Sequence, residues 1–172
     1  MDDELGLARR AAAGDAAAFA ALVRTHEAAV RRFLARLTRG ANSSGGGADD
    51  LAQEVFLKAW RSAAAFRGEG SYRAWLMRIA WTLFLSAQRA KGRREAREQA
   101  APEPGRHDDR NTAIDLQRAL AGLGERERAA SLLCFGEGCS HGEAARIMGI
   151  PLGTLKSILA RARAALVQRL EA

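Results

Sequence analysis

The segment at residues 140–151 (SHGEAARIMGIP) constrains the fold more than any other, because four local signals fall there in register. Ser140 followed by Glu143 is a capping box, in which each side chain satisfies an orphan amide at a helix start. Ala144 and Ala145 are small enough to let a second helix cross closely. Gly149 tolerates the positive φ that ends a helix, and Pro151 suits the first turn of the next. The spacing predicts a helix-turn-helix over residues 140–166. Beyond the corner, Leu155, Leu159, Ala162 and Leu166 recur as a buried stripe. At about 100° per residue, Gly153, Ser157, Ala160, Arg161 and Ala164 then lie opposite it, flanked by Lys156 and Arg163. Small residues let such a helix sit deep in a major groove while cations reach the phosphates on its walls. The bland alternative is a helical hairpin with a solvated basic face.

Composition bounds the rest. With 172 residues, 48% hydrophobic and 27% charged, the chain is globular and long enough for one domain or two small ones. The net charge is +7, and of the 27 basic residues only Lys58, Lys91 and Lys156 are lysines. Arginine favours bidentate contacts to phosphates and base edges. Neither a signal peptide nor an apolar run of about 18 residues is visible, so a cytoplasmic protein without membrane insertion is expected. Cys134 and Cys139 read as small apolar residues. With His141 they lack a fourth zinc ligand at a recognised spacing, so no metal and no cofactor are expected. His26, His107 and His141 read as isolated and exposed. Without a metal-binding carboxylate cluster, a phosphate loop or a nucleophile beside a base, the chain is not expected to be an enzyme.

Apolar periodicity vanishes over residues 92–110, where two of the three prolines lie. This predicts a flexible linker between a domain at 1–91 and another at 111–172. Residues 1–90, 91–110 and 111–172 carry +4, +1 and +2, so neither domain is a purely electrostatic clamp. A Gly- and Ser-rich loop (residues 40–47) interrupts the first domain. Periodicity predicts four helices there: residues 3–13, 15–39, one from Asp49 and one after a Ser71 cap. Tyr72, Trp75, Leu76, Ile79 and Leu83 form the core stripe of the fourth. The second domain adds helices over 112–121, 125–135, 142–148 and 152–170. The expected fold class is all-α.

On the third helix, Asp49, Asp50, Gln53 and Glu54 form an acidic polar surface in a basic protein. Such a patch repels DNA and accepts a basic protein; a dipole-stabilising first turn accounts for the two aspartates alone. The run ADDLAQEVFLKAWRSAAAFRGEGSYRAWLMRIA (residues 48–80), preceded by residues 14–37 and followed by residues 119–166, resembles bacterial RNA polymerase sigma factors of the extracytoplasmic-function type, within the sigma-70 family. The two blocks are similar to sigma regions 2 and 4.

The resemblance implies core RNA polymerase as a partner, through the clamp helices of its β′ subunit, docked at Asp49, Asp50, Gln53 and Glu54, and through its β subunit. It implies promoter DNA as the second partner and an anti-sigma factor as a third. Capture and melting of a −10 element fall to the loop Arg67, Gly68, Glu69 and Ser71 with Arg61, Tyr72 and Arg78. Stacking and pocket contacts there repay the cost of unstacking bases. The basic tail Arg89, Lys91, Arg93 and Arg94 would contact duplex phosphates, and Gly153, Thr154, Lys156, Ser157, Arg161 and Arg163 would read a −35 element. Three positions on the fourth helix depart from the family pattern: Trp81 and Thr82 stand where relatives carry Arg-Asn, and Ser86 where they carry Asp. Ile158 replaces an Arg of region 4. Trp81 is expected either sandwiched between helices or turned outward to stack on a base. Tyr72 is equally compatible with a core position. The weakened cations keep open a sigma mimic that titrates an anti-sigma factor and binds promoters poorly. An autonomous repressor and an enzyme acting on nucleic acid are less favoured.

Overall fold

A computed structural model of the chain describes residues 3–39, 47–98 and 112–170, and every regular element among them is helical. Helices α1 (Glu4–Ala12), α2 (Ala16–Thr38), α3 (Ala48–Arg61) and α4 (Tyr72–Glu98) form the N-terminal domain. Helices α5 (Thr112–Ala121), α6 (Glu125–Ser131), α7 (His141–Met148) and α8 (Leu152–Leu170) form the C-terminal one. A 3₁₀ turn, Ala63–Ala65, follows α3, and a π turn, Leu132–Gly136, extends α6. The all-α architecture is the one expected.

Local chemistry sets the helix starts. The Asp15 carboxylate accepts the amides of Ala17 and Ala18 at 2.9 and 3.0 Å. The Ala18 amide and then the Arg10 guanidinium hold that carboxyl below its usual range. Ser71 caps α4 as expected, its Oγ accepting the Ala74 amide at 3.1 Å. At the same helix start, Glu4 of α1 accepts the Tyr72 amide at 3.3 Å and contacts His26 Nε2 at 2.7 Å. One carboxylate thus ties α1, α2 and α4 together at the positive end of the α4 dipole. His26 is buried, which corrects the expectation of an exposed histidine. Its helical register faces the core, and Glu4 supplies the polar partner that burial demands.

Helix α4 runs on through Glu98, so residues 92–98 of the expected linker are helical. Arg, Ala and Glu there are good helix formers, and they offset the roughly 1 kcal/mol that Gly92 costs relative to Ala. The rest of that expected linker lies outside the described residues, as do residues 40–46 of the expected glycine-rich loop; Gly47 immediately precedes α3.

α4 is apolar on two sides because it is packed on two sides. Leu76, Met77, Ala80, Trp81, Leu83 and Phe84 are all buried, with α2 and α3 against one flank and α7 against another. Burying a side chain as large as Leu76 or Phe84 contributes about 1.5–3 kcal/mol. Trp81 stacks on Phe84 with ring centroids 5.8 Å apart, so the sandwiched alternative is the one realised. A continuous hydrophobic cluster runs from Ala8 through α4 to Leu159, joining the two domains. Arg128 seals their junction. Its buried guanidinium donates to the carbonyls of Leu37, Leu120, Ala121 and Leu123 at 2.7–3.0 Å. These oxygens lie at or near the ends of α2 and α5, where helices leave carbonyls unsatisfied.

Candidate nucleic-acid and polymerase interfaces

The helix-turn-helix forms as its local chemistry dictates. The Ser140 amide donates to Glu143 Oε2 at 2.9 Å, and the Glu143 amide donates back to Ser140 Oγ at 3.3 Å. Hydrogen bonds from Ser140 hold the Glu143 carboxyl below its usual range. Gly149 takes the left-handed conformation at φ 65°, and the Ile150 amide closes back on the Ala145 carbonyl at 3.0 Å. On α8, Leu155, Ile158, Leu159 and Ala162 are buried. Gly153, Thr154, Lys156, Ser157, Arg161 and Arg163 are exposed together on the other side. Arg161 reaches Glu127 of α6 at 3.4 Å, a long contact at the surface. Ile158 is a core residue, so no exposed position on α8 is spent on it.

On α3 the acidic group divides. Asp49 pairs with Arg31 of α2 at 2.6 Å, and Asp50 accepts the Gly47 amide at 3.2 Å. Gln53 and Glu54 are exposed, with no hydrogen-bond or ion-pair partner among the described residues. The same face continues into Leu57, 56% exposed, and Trp60, 36% exposed. Trp60 rests on Phe19 of α2 at 5.0 Å between ring centroids. Leu57 and Trp60 escaped the sequence reading. Their spacing from Gln53, four and seven residues on, is the signal that places them on its face.

The loop before α4 exposes Arg67, Gly68, Glu69, Gly70 and Ser71. Gly68 and Gly70 have φ of 77° and 92°, the left-handed region that only glycine enters cheaply. Tyr72 is a core residue, which removes it from the set available to DNA. It is 1% exposed and packs against Phe66, Trp75 and His26. Burial, and secondarily the Glu4 charge, push its phenol up to about 12. Trp75 is half-buried and lines a crevice with Glu69 and Gly70 of this loop. From here an exposed row runs along α4 through Arg78, Thr82, Ser86, Arg89, Arg93 and Arg97. At 1.5 Å per residue it is about 28 Å long. Arg94 is exposed beside the row, and Arg61 is exposed on α3. Arg97 is an addition to the expected cations. Among the described residues no group of three or more His, Cys, Asp or Glu side chains could hold a metal. Cys134 and Cys139 are free and half-buried, and burial pushes both thiols up.

Two sequence families match these two domains: Sigma-70 region 2 over residues 22–94 and Sigma-70 region 4 over residues 113–166. The chain is 39% identical over 160 residues to the ECF RNA polymerase sigma factor SigM of Mycobacterium tuberculosis, covering 92% of this chain and 80% of that protein. The chain belongs to the ECF sigma factors. It is also 37% identical to the ECF RNA polymerase sigma factor SigE of Mycolicibacterium smegmatis, over 94% of this chain and 66% of that protein's length. Among solved structures, the sigma factor RpoE in complex with the anti-sigma factor NepR from Bartonella quintana is similar at TM-score 0.73 and 29% identity, over 90% of this chain and 97% of that one. CnrH in complex with the cytosolic domain of CnrY is similar at TM-score 0.68 and 26% identity, over 99% and 98%. In this ECF sigma factor, then, the region 2 match runs from within α2 through α3 into α4, and the region 4 match spans α5 to α8.

Proposed function

We propose that the chain directs core RNA polymerase to promoters, with each surface above in a distinct role. The face of α3 from Asp49 and Asp50 through Gln53 and Glu54 to Leu57 and Trp60 docks on the clamp helices of the β′ subunit. An acidic rim around an exposed aromatic anchor suits a basic protein partner. Arg67, Gly68, Glu69, Ser71 and Arg78, with Arg61 and Trp75 at their margin, capture the −10 strand. The α4 row of Arg89, Arg93 and Arg97, with Arg94, follows duplex phosphates. Gly153, Thr154, Lys156, Ser157, Arg161 and Arg163 read the −35 element. The observation that carries this reading is the division of α8 into a buried apolar side and an exposed side of small residues and cations.

The sigma-mimic alternative rested on lost cations. Trp81 and Ile158 do replace cations, but Arg78, Arg89, Arg93, Arg94 and Arg97 on α4 and Lys156, Arg161 and Arg163 on α8 remain exposed, which favours a promoter-binding factor. Such a protein is a regulator and not a catalyst. It works in the cytoplasm where polymerase is found, and among its described residues no helix is long and apolar enough to cross a membrane. An anti-sigma factor is a further partner, in keeping with the similar sigma factor solved with one. Mixing the protein with core polymerase and a promoter library tests the reading. Run-off transcripts that depend on the protein support it, and stable core binding without transcripts refutes it in favour of the mimic.

A further inference from the structure

The exposed loop at residues 67–71 belongs to no helix or strand, so its path depends on what its backbone rests against. Its flanks are tied to each other, because Phe66 packs edge-on against Tyr72 with ring centroids 5.0 Å apart. Its middle rests on α1. Leu5 Cδ1 comes so close to Gly68 that a Cβ added to that glycine would lie 3.0 Å from it. The start of α4 is held by the residue beside Leu5. Glu4 Oε2 accepts the Tyr72 amide at 3.3 Å, while Glu4 Oε1 meets Nε2 of the buried His26 at 2.7 Å. α1 is itself anchored: Ala8 and Ala11 are buried in the core, and Arg10 donates to Asp15 at 2.9 Å. The region 2 match begins at residue 22, so this helix lies ahead of it.

We infer that α1 is the platform that sets the geometry of −10 strand capture, with Glu4 and Leu5 as its positioning residues. The inference rests on the capture role proposed above. A helix start leaves backbone amides without intrahelical partners. At α4 the Ala74 amide is satisfied locally by Ser71 Oγ, but the Tyr72 amide is satisfied from another helix. The first residue of α4 is therefore placed by α1, and His26 fixes the direction of the carboxylate that places it. A loop held at Gly68 and at Tyr72 offers Arg67 and Glu69 to a strand without first being ordered, and the ordering cost avoided is retained as affinity. Glu4 keeps 41% of its side chain exposed and Leu5 is half-buried, so truncating either leaves the core of the domain filled. Both act on the strand through the backbone of the loop.

Full-length Glu4→Ala, Leu5→Ala and Glu4→Gln, compared with wild type, provide the test, with far-UV circular dichroism to verify that helix content is kept. Leu5→Ala carries the comparison alone where Glu4→Ala does not fold. Gln retains an oxygen for the Tyr72 amide and supplies an N–H to a neutral His26, so Glu4→Gln should rescue what Glu4→Ala loses. Hydrogen–deuterium exchange over residues 66–75, read by mass spectrometry, should be faster in the alanine variants and unchanged in Glu4→Gln. With core polymerase, on a promoter that the wild type selects from a library, the open complex should survive a heparin challenge for a time shortened about tenfold in the alanine variants. Affinity for core polymerase and for a −35 duplex should stay at the wild-type level. Unchanged exchange in the folded alanine variants overturns the platform. Faster exchange with an undiminished open complex overturns its role in capture, and so does an equal loss of core affinity, the mark of a general weakening of the domain. A wild type that forms no open complex refutes the proposed initiation function, and the capture role with it, while exchange still reports whether α1 holds the loop.

Discussion

Tyr72 is the only tyrosine in the chain, so its ionisation can be followed without interference by absorbance near 295 nm. Its phenol is raised from 10.0 to about 12, by burial first and the Glu4 charge second. A raised folded-state value means the buried phenol stabilises the fold fully below about pH 10. That contribution is lost as the pH climbs through about 12. The expected midpoint is therefore close to 12 and coincides with loss of tertiary structure; a midpoint near 10 in folded protein would place Tyr72 at the surface. On α8, Lys156 and Arg161 should behave differently. Lys156→Ala is expected to weaken −35 duplex binding for all sequences alike and to lower the salt slope by about one. Arg161→Ala should cost about 1–3 kcal/mol and relax specificity at one base pair, measured by fluorescence anisotropy against single-base variants. Equal losses on every sequence would reassign Arg161 to a phosphate.

At the scale of the element, the corner of the helix-turn-helix depends on Gly149. A Cβ there meets nothing within 4 Å, but φ is +65°, so Gly149→Ala is resisted by conformation alone, at about 1 kcal/mol. For a chain of this size that lowers Tm by about 2–4 °C, readable by calorimetry; an unchanged Tm would mean that the corner relaxes. This corner was legible in the sequence because cap, small pair, glycine and proline each act within a few residues. The four helix spans of region 4 were legible for the same reason, and so were the buried stripes apart from Trp75 and Leu166, which are half-buried. Burial of Trp81 was only half legible: periodicity revealed apolar residues on two sides of α4, but not that both sides are packed. Burial of Glu137 was not legible at all. In GEGC it reads as a solvated turn, because its partners, Arg32 and Arg73, lie 105 and 64 positions away and no local pattern encodes such a pairing. Arg128 and His26 were missed for a related reason: a polar side chain is expected outside unless its distant partner is known.

For the whole molecule, the faces proposed for polymerase docking and for DNA reading are different ones, so the two functions should fail separately. Trp60→Ala removes a partly exposed aromatic set against Phe19. It should reduce affinity for core polymerase tenfold or more, in line with the ~2 kcal/mol of an aromatic hot spot, while −35 duplex binding stays at the wild-type level. Loss of both together would signal unfolding of region 2. The pairing of Glu137 with Arg32 and Arg73 joins the two regions, and it carries a temporal consequence. Arg32 and Glu137 are separated by 105 residues, and ribosomes extend chains at roughly 5–20 residues per second. Glu137 is therefore made about 5–20 seconds after Arg32. During that interval nascent region 2 holds Arg32 and Arg73 without the carboxylate that joins them in the finished fold.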